Sequence, residues 1–490
     1  MVVVSRLESP VTVGIPPTDR PADGEENPPL DTFEDLTNKN TLLAVCISGG
    51  GARAARMGLY AMSMIESNYN ARIGTKAAKA NPLVDKIDII SSVSGGSVYS
   101  SWIATYIWRR QHWTNSSDLK LERNPKSGQL LLFADPSRTF ENLLEDNHAR
   151  HDTKELGAWA AVVYLSPGNF FAAPFAQLFT EWDTLNLFAD THAILQGNLA
   201  PFLGHRHLGE LPAKPRFYFN STCLVSGRPF VFSREAIHDE HRLDIVPSDP
   251  LKSWMQGDWS DGTSEPLQYA MTLEDIGSSP VEFPSDYAVL ASAAFPGVFE
   301  PLMLKVYARH RIDTTNGLGT SSKFVSLVDG GVYDNTGVTT ALTLFDYLKG
   351  LGVKKSLILL RIDANNTFGN YDGETDMSLL HRDLHWPIRG LVKMTPTLDQ
   401  IYDDQQSLVD TAIDLKLSFD HSDIKVYKIA LNEVKDPDVK RKLADIHTDF
   451  AISGTEDQTI QQSVTLLLNH EDKTGKSTVN KLVDALVEER

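Results

Sequence analysis

A nearly continuous apolar run from Thr41 to Ile47 stops at Gly49-Gly50-Gly51 and passes into helical spacing at Ala55, Leu59, Met62 and Ile65. That order predicts a buried strand, a tight turn and a helix. The unit recurs: Ile87 to Ile90 leads through Ser91-Ser92-Val93 to Ser94-Gly95-Gly96, after which Val98, Trp102, Ile103, Tyr106 and Ile107 keep helical spacing. Arg216 to Phe219 and Pro229 to Phe232, joined through Asn220-Ser221-Thr222 and Ser226-Gly227, read as a hairpin or a bulged pair. Further strands are predicted at Phe324 to Val328, Ser356 to Ile362 and Ile424 to Ile429, with a helix from about Thr339 to Lys349 joining the first two. Strand, helix, strand implies a parallel sheet, so the fold class is α/β.

Between these units the pattern changes. Residues 110–210 are mostly helical in composition but interrupted at Pro167-Gly168 and Pro174; Ala158 to Leu165, followed by Phe170-Phe171-Ala172-Ala173, is too short and broken to span a bilayer. This helical insertion is read as a buried core helix pair in preference to a lid or interfacial surface. Residues 1–38 are expected to form a flexible arm, rich in Pro, Asp, Glu and Thr from about residue 8 and without strand or helix period. The tail from about Asp438 is helical, with Leu482, Val483 and Leu486 on one face. The expected division is thus the arm, a domain over 39–365 that contains the insertion, and a mostly helical extension over 366–490 packed on it.

Charge and composition narrow the partners. With 64 acidic against 46 basic residues among 490, the net charge of −18 opposes a phosphate backbone, so no nucleic acid is expected. It also opposes a polybasic lipid tether, leaving apolar side chains for any membrane contact. Met1 to Arg6 is too weakly apolar for a signal core, so a cytoplasmic protein touching membranes transiently is expected. Two cysteines, Cys46 and Cys223, cannot build a disulfide framework or a four-thiolate zinc site. His381 and His385 have ligand spacing, but Arg382 stands where a zinc protease carries glutamate. His148, His151, His205 and His207 lack a companion ligand pattern, and Asp363 to Glu374 has Phe368 where a calcium loop needs glycine. No metal and no cofactor are assigned.

Three turns carry candidate chemistry. Gly49-Gly50-Gly51-Ala52-Arg53 offers backbone N–H groups at a helix N-terminus, which suits an oxyanion or a phosphate. A dinucleotide site would need an acidic residue at the end of the next strand, where Ser91 to Ser94 stand, and a P-loop would need Gly-Lys-Ser/Thr. Ser92-Val93-Ser94-Gly95-Gly96 nearly matches the G-x-S-x-G nucleophile elbow, with Ser92 for the first glycine; small-residue turns of this kind also serve as packing devices. Asp329, in Val328-Asp329-Gly330-Gly331, follows a strand and reads either as a base for the serine or as a turn cap.

Taken together, and in this order, the glycine loop with Arg53, the Ser94 elbow and Asp329-Gly330-Gly331 resemble the patatin-like phospholipases. Ala291 to Pro301 is similar to the family's segment before the aspartate strand, Phe219 to Pro229 to its central hairpin, and Ile446-His447-Thr448-Asp449-Phe450 with Ser453 to the tail of bacterial members. The resemblance implies a three-layer fold with a mostly parallel central sheet, related to cytosolic phospholipase A2. It further implies hydrolysis of phospholipid or other fatty-acyl esters by a Ser94–Asp329 dyad without histidine, with Gly49, Gly50 and Gly51 forming the oxyanion hole. Arg53 either adds positive potential there or serves structure. Two other readings stay open: a Ser-His-Asp hydrolase using His421, His447 or His470, and a non-catalytic lipid-binding protein on the same scaffold.

Overall fold

The structure, a computed structural model, describes residues 38–74, 81–112, 206–224, 227–235, 270–294, 301–307, 324–350, 356–366, 423–446, 452–471 and 475–488, with isolated positions such as Leu36, Ala77, Ile413 and Leu417. Residues 1–35 of the arm expected over 1–38, most of the insertion (113–205), His381, His385 and most of the Asp363 to Glu374 loop lie outside the described residues. In chain order the elements are β1 (Thr41–Ile47), α1 (Gly51–Ile73), β2 (Ile89–Val93), α2 (Gly95–His112), β3 (Arg216–Cys223), β4 (Pro229–Phe232), α3 (Ser285–Ser292) and β5 (Leu302–Lys305). There follow β6 (Phe324–Asp329), α4 (Val338–Gly350), β7 (Ser356–Asp363), β8 (Ile424–Ala430), α5 (Pro437–Ala444), α6 (Gly454–Asn469) and α7 (Thr478–Glu488).

Side-chain alternation along the strands builds the layers. In β1, Leu43, Val45 and Ile47 join one apolar cluster while Leu42, Ala44 and Cys46 join another on the opposite face, as period-two geometry requires of a strand covered on both sides. The first cluster takes in α1, α2, α3, α5, α6 and α7; the second takes in Val338, Ala341, Leu342, Phe345 and Leu348 of α4. The result is a three-layer α/β fold. Both cysteines are buried free thiols. Among the described residues no helix is long and apolar enough to cross a membrane.

The sheet has eight strands, in the order β5-β6-β3-β2-β1-β7-β8 with β4 also on β3. Strands β3, β2, β1, β7 and β8 are mutually parallel along that path. Two details depart from the sequence reading. First, β3 runs on through Asn220-Ser221-Thr222 to Cys223, so those polar residues belong to the strand and pair with β4 across the hairpin. Second, β6 is antiparallel to β3, so Asp329 is not delivered by a parallel strand. Asn220 pairs with Val93 and with Val231, and Ser221 with Asp329 and with Phe230. One edge of β3 is therefore taken by β4, and the other is shared end to end by β2 and β6. β6 descends onto the sheet's C-terminal edge from beyond it, and α4 then returns across the sheet face to begin β7. The strand-helix-strand pattern specifies that return but not the direction from which its first strand arrives.

The segment after residue 365 continues the same sheet through β8 and lays three helices on the layer formed by α1. Asp436 caps α5 by accepting from the Asp438 and Val439 N–H groups, each at 3.0 Å, with Pro437 at the first helical position. Ser453 and Glu456 form a capping box on α6. Tyr60 Oη donates to Asp457 Oδ2 at 2.6 Å, and the buried Arg56 lies 3.4 Å from Asp457 Oδ1, fastening α6 to α1. Leu482, Val483 and Leu486 of α7 are buried as their spacing predicts, each contributing about 1.5–3 kcal/mol.

Candidate active site

Two helix N-termini and the ends of β2 and β6 converge on one point of the sheet edge. Ser94 leaves β2 at φ +51°, the one non-glycine residue with positive φ among those described. An L-residue held in that region stores of order 1–3 kcal/mol of backbone strain, which the surroundings must hold in place. They do so closely: the Ser94 N–H is shared between Ser292 Oγ at 3.0 Å and the Ser292 carbonyl at 3.2 Å, and the Ser94 carbonyl accepts from Ser97 at 2.8 Å. Gly95 is required because any Cβ there would overlap the Gly51 carbonyl, where α2 and α1 begin side by side.

Ser92, standing where the elbow pattern has glycine, does not disturb this turn. Its side chain points to the α2 side, where Ser92 Oγ meets Ser100 Oγ at 2.6 Å and accepts from Ser97 Oγ at 3.2 Å. Ser97 Oγ in turn meets Ser292 Oγ at 2.8 Å, and Ser292 Oγ donates to the Asn220 carbonyl at 2.6 Å. A chain of buried hydroxyls thus runs under the elbow to the Ser94 N–H.

Asp329 closes β6 with 3% of its surface exposed. Burial pushes its carboxyl pKa up to about 7, against the opposing pull of the Gly331 N–H and of the Ser94 hydroxyl. The Gly331 N–H donates to Oδ1 at 2.7 Å. Oδ2 is buried and closes no full hydrogen bond. The contact with Ser94 is therefore a loose one, of the kind that tightens once substrate is bound. The local turn cap read from the sequence and the approach to Ser94 coexist in one side chain.

The glycine loop lies beside both. Its N-terminal end is strapped to β7: the Ser48 N–H donates to the Ile362 carbonyl at 3.0 Å, and Ser48 Oγ accepts from Ala364 at 2.8 Å. Gly49 donates its N–H to the Asn335 carbonyl at 2.9 Å, so that donor is already engaged. Gly50 (φ +131°) and Gly51 (φ +59°) turn the chain into α1, and their N–H groups have no acceptor among the described residues. A methyl on Gly49 would overlap Asn335 Oδ1 and lie 3.3 Å from Ser94 Cβ, which shows how closely the loop faces the elbow. Arg53, only 2% exposed, is turned away into structure, with Nη1 donating to the Ile446 carbonyl at 2.8 Å.

Sequence reasoning missed three residues that shape the site. Asn220 Nδ2 donates to Ser91 Oγ at 2.9 Å and to the Ser92 carbonyl at 2.8 Å, while its Oδ1 accepts from Thr340 Oγ1 at 2.5 Å. Ser292 holds the elbow, and Asn335 separates the glycine loop from the aspartate loop. The available signal for Asn220 was a polar triplet continuing an apolar strand, which marks buried polar groups with assigned partners. Of the histidines considered as bases, His470 is exposed with Nε2 3.3 Å from Lys435 Nζ, whereas His421 and His447 lie outside the described residues.

A three-layer α/β protein with a strained serine and a buried carboxyl beside a glycine loop defines the class, and the sequence comparison gives the family. Residues 45–342, well over half of the chain, match the model for patatin-like phospholipase. The chain belongs to the patatin-like phospholipase family, a family of lipid acyl hydrolases. No curated protein matches the sequence closely enough to add a relative.

Proposed function

We propose that this protein hydrolyses fatty-acyl esters of lipids through a Ser94–Asp329 dyad, with the Gly50 and Gly51 N–H groups holding the oxyanion. The observation that carries the reading is the positive-φ serine set beside a buried carboxyl whose pKa burial raises to about 7. An ordinary carboxylate, near pKa 4, is a feeble base toward a hydroxyl; a rise of about three units improves the proton transfer by about 4 kcal/mol.

In acylation, Ser94 Oγ attacks the ester carbonyl carbon while its proton passes to Asp329. The tetrahedral oxyanion meets the Gly50 and Gly51 N–H groups at the start of α1, where the helix dipole also favours negative charge. Collapse expels the alcohol, which takes the proton from Asp329 and leaves an acyl ester on Ser94. In deacylation, water gives its proton to Asp329 and attacks the acyl carbon; Ser94 regains the proton as the fatty acid leaves. Gly49 contributes shape, since its N–H is held by Asn335. The substrate class follows the family, and membrane contact, where the substrate resides, is transient.

Turnover of a short p-nitrophenyl ester and of phospholipid in mixed micelles tests this reading. Ser94→Ala and Asp329→Asn are expected to abolish both activities in folded protein. Retention of turnover in Ser94→Ala overturns it.

A further inference from the structure

The family match ends at residue 342, yet the glycine loop is held by residues well beyond it. Arg53 stands in the first turn of α1, two residues after the last loop glycine, and its Nη1 donates to the Ile446 carbonyl at 2.8 Å. Asn366 Nδ2 donates to the same carbonyl at 2.8 Å and to the Leu443 carbonyl at 2.7 Å. Both acceptors belong to the end of α5 and the residues just after it, where a helix leaves backbone carbonyls unsatisfied and carries partial negative charge. The guanidinium passes directly behind the loop: a methyl on Gly50 would stand 3.4 Å from Arg53 Nη2 and 3.4 Å from Ala364 Cβ. Ala364 itself is tied to Ser48 at the other end of the loop.

We infer that Arg53 is a positioning residue, not a ligand for a substrate's charged head group: with Asn366 it clasps the carbonyl of Ile446 and so fixes the Gly50–Gly51 donors against Ser94. The inference rests on the dyad reading above. It gives Ile446, the first residue of the tail stretch, a role, as the fixed point against which the oxyanion loop is braced. It also makes the segment from Pro437 to Ile446 part of the catalytic unit. An anion-binding role would need the guanidinium to face the cleft, whereas this one is 2% exposed and directed at a main-chain carbonyl. Movement of the loop by about 1 Å is enough to cost about 10²-fold in rate, because the donors are useful only where the oxyanion forms.

The test compares Arg53→Met, Arg53→Lys, Asn366→Ala and the Arg53→Met/Asn366→Ala pair in the full chain. Each is assayed on neutral p-nitrophenyl butyrate and on an anionic phospholipid in mixed micelles, with active sites titrated and melting temperature recorded. Arg53→Met and Asn366→Ala are expected to lower kcat by about 10- to 100-fold on both substrates with KM little changed, the pair to be less than additive, and Arg53→Lys to recover part of the loss. Should Arg53→Met not fold, Asn366→Ala alone carries the same expectation. A loss confined to the anionic substrate and expressed in KM, or an unchanged kcat in Asn366→Ala, overturns the inference. Absence of Ser94-dependent turnover in the unmutated chain overturns the dyad reading instead, and is seen before any variant is measured.

Discussion

Asn220 and Ser221, neighbours on β3, each hold one of the two strands that meet at the site. Asn220 Nδ2 donates to the Ser92 carbonyl at 2.8 Å near the end of β2, and Ser221 Oγ donates to the Val328 carbonyl at 2.6 Å near the end of β6. Because β2 and β6 share one edge of β3, Val93 and Asp329 stop opposite consecutive residues. The serine and the carboxyl are thus brought together by register, with the polar pair fixing both tips. Asn220→Ala is expected to cost about 1–3 kcal/mol of stability, through the buried partners it leaves behind, and to lower kcat more than tenfold. Urea unfolding and steady-state kinetics measure the two effects separately.

The buried carboxyl of Asp329 predicts opposite effects of pH on activity and on stability. A base with pKa about 7 gives kcat/KM an acid limb near pH 7 instead of near pH 4. For stability the sign is the reverse: the folded pKa lies above the unfolded value, so the unfolded chain loses its proton first. The Asp329 contribution to stability is fully present below about pH 4, is lost between about pH 4 and pH 7, and is level above that. Asp329→Asn removes this dependence. It is expected to be inactive and yet to gain in melting temperature relative to the unmutated protein as pH rises from 4 to 7.

Replacing Ser92 by the glycine of the usual elbow pattern is expected to do harm. Ser92→Gly removes a member of the hydroxyl chain linking Ser100, Ser97 and Ser292, and adds backbone freedom in a strand. A loss of about 1–2 kcal/mol in urea unfolding is predicted, with kcat not improved.

Gly49 faces Asn335 so closely that the two are expected to show interdependence. In Gly49→Ala the new methyl meets Asn335 Oδ1 and approaches Ser94 Cβ, which forces the loop outward and lowers kcat by about 10²-fold. Adding Asn335→Ala opens the space that the methyl needs. Partial recovery in the double variant, read as a positive coupling in a kinetic double-mutant cycle, is the expected result.

The elements and the order of the motifs were legible in the sequence because buried strands and glycine turns leave strong local patterns. Thr41 to Ile47 and the Ser94 turn appear where the pattern predicts, and β3 and β4 pair as a hairpin although β3 runs on to Cys223. What the pattern could not convey was non-local. The direction of β6 depends on which edge of β3 is vacant above Val93, and nothing in Phe324 to Val328 encodes that. The orientation of Arg53 is set by Ile446, nearly 400 residues along the chain. Ser92 looked like a flaw because an elbow pattern reports only residue size, whereas its partners Ser97 and Ser100 arrive from the following helix.

The proposed mechanism requires that Ser94 be a nucleophile activated by Asp329. The most direct measurement is the rate of labelling by a fluorophosphonate probe across pH, with peptide mapping of the modified residue, for the unmutated protein and for Asp329→Asn. The predicted result is modification at Ser94 at a rate that falls as pH drops below about 7, and that falls at least 10²-fold in folded Asp329→Asn. Labelling at another residue, or labelling of Ser94 at the same rate with and without the Asp329 carboxyl, contradicts it.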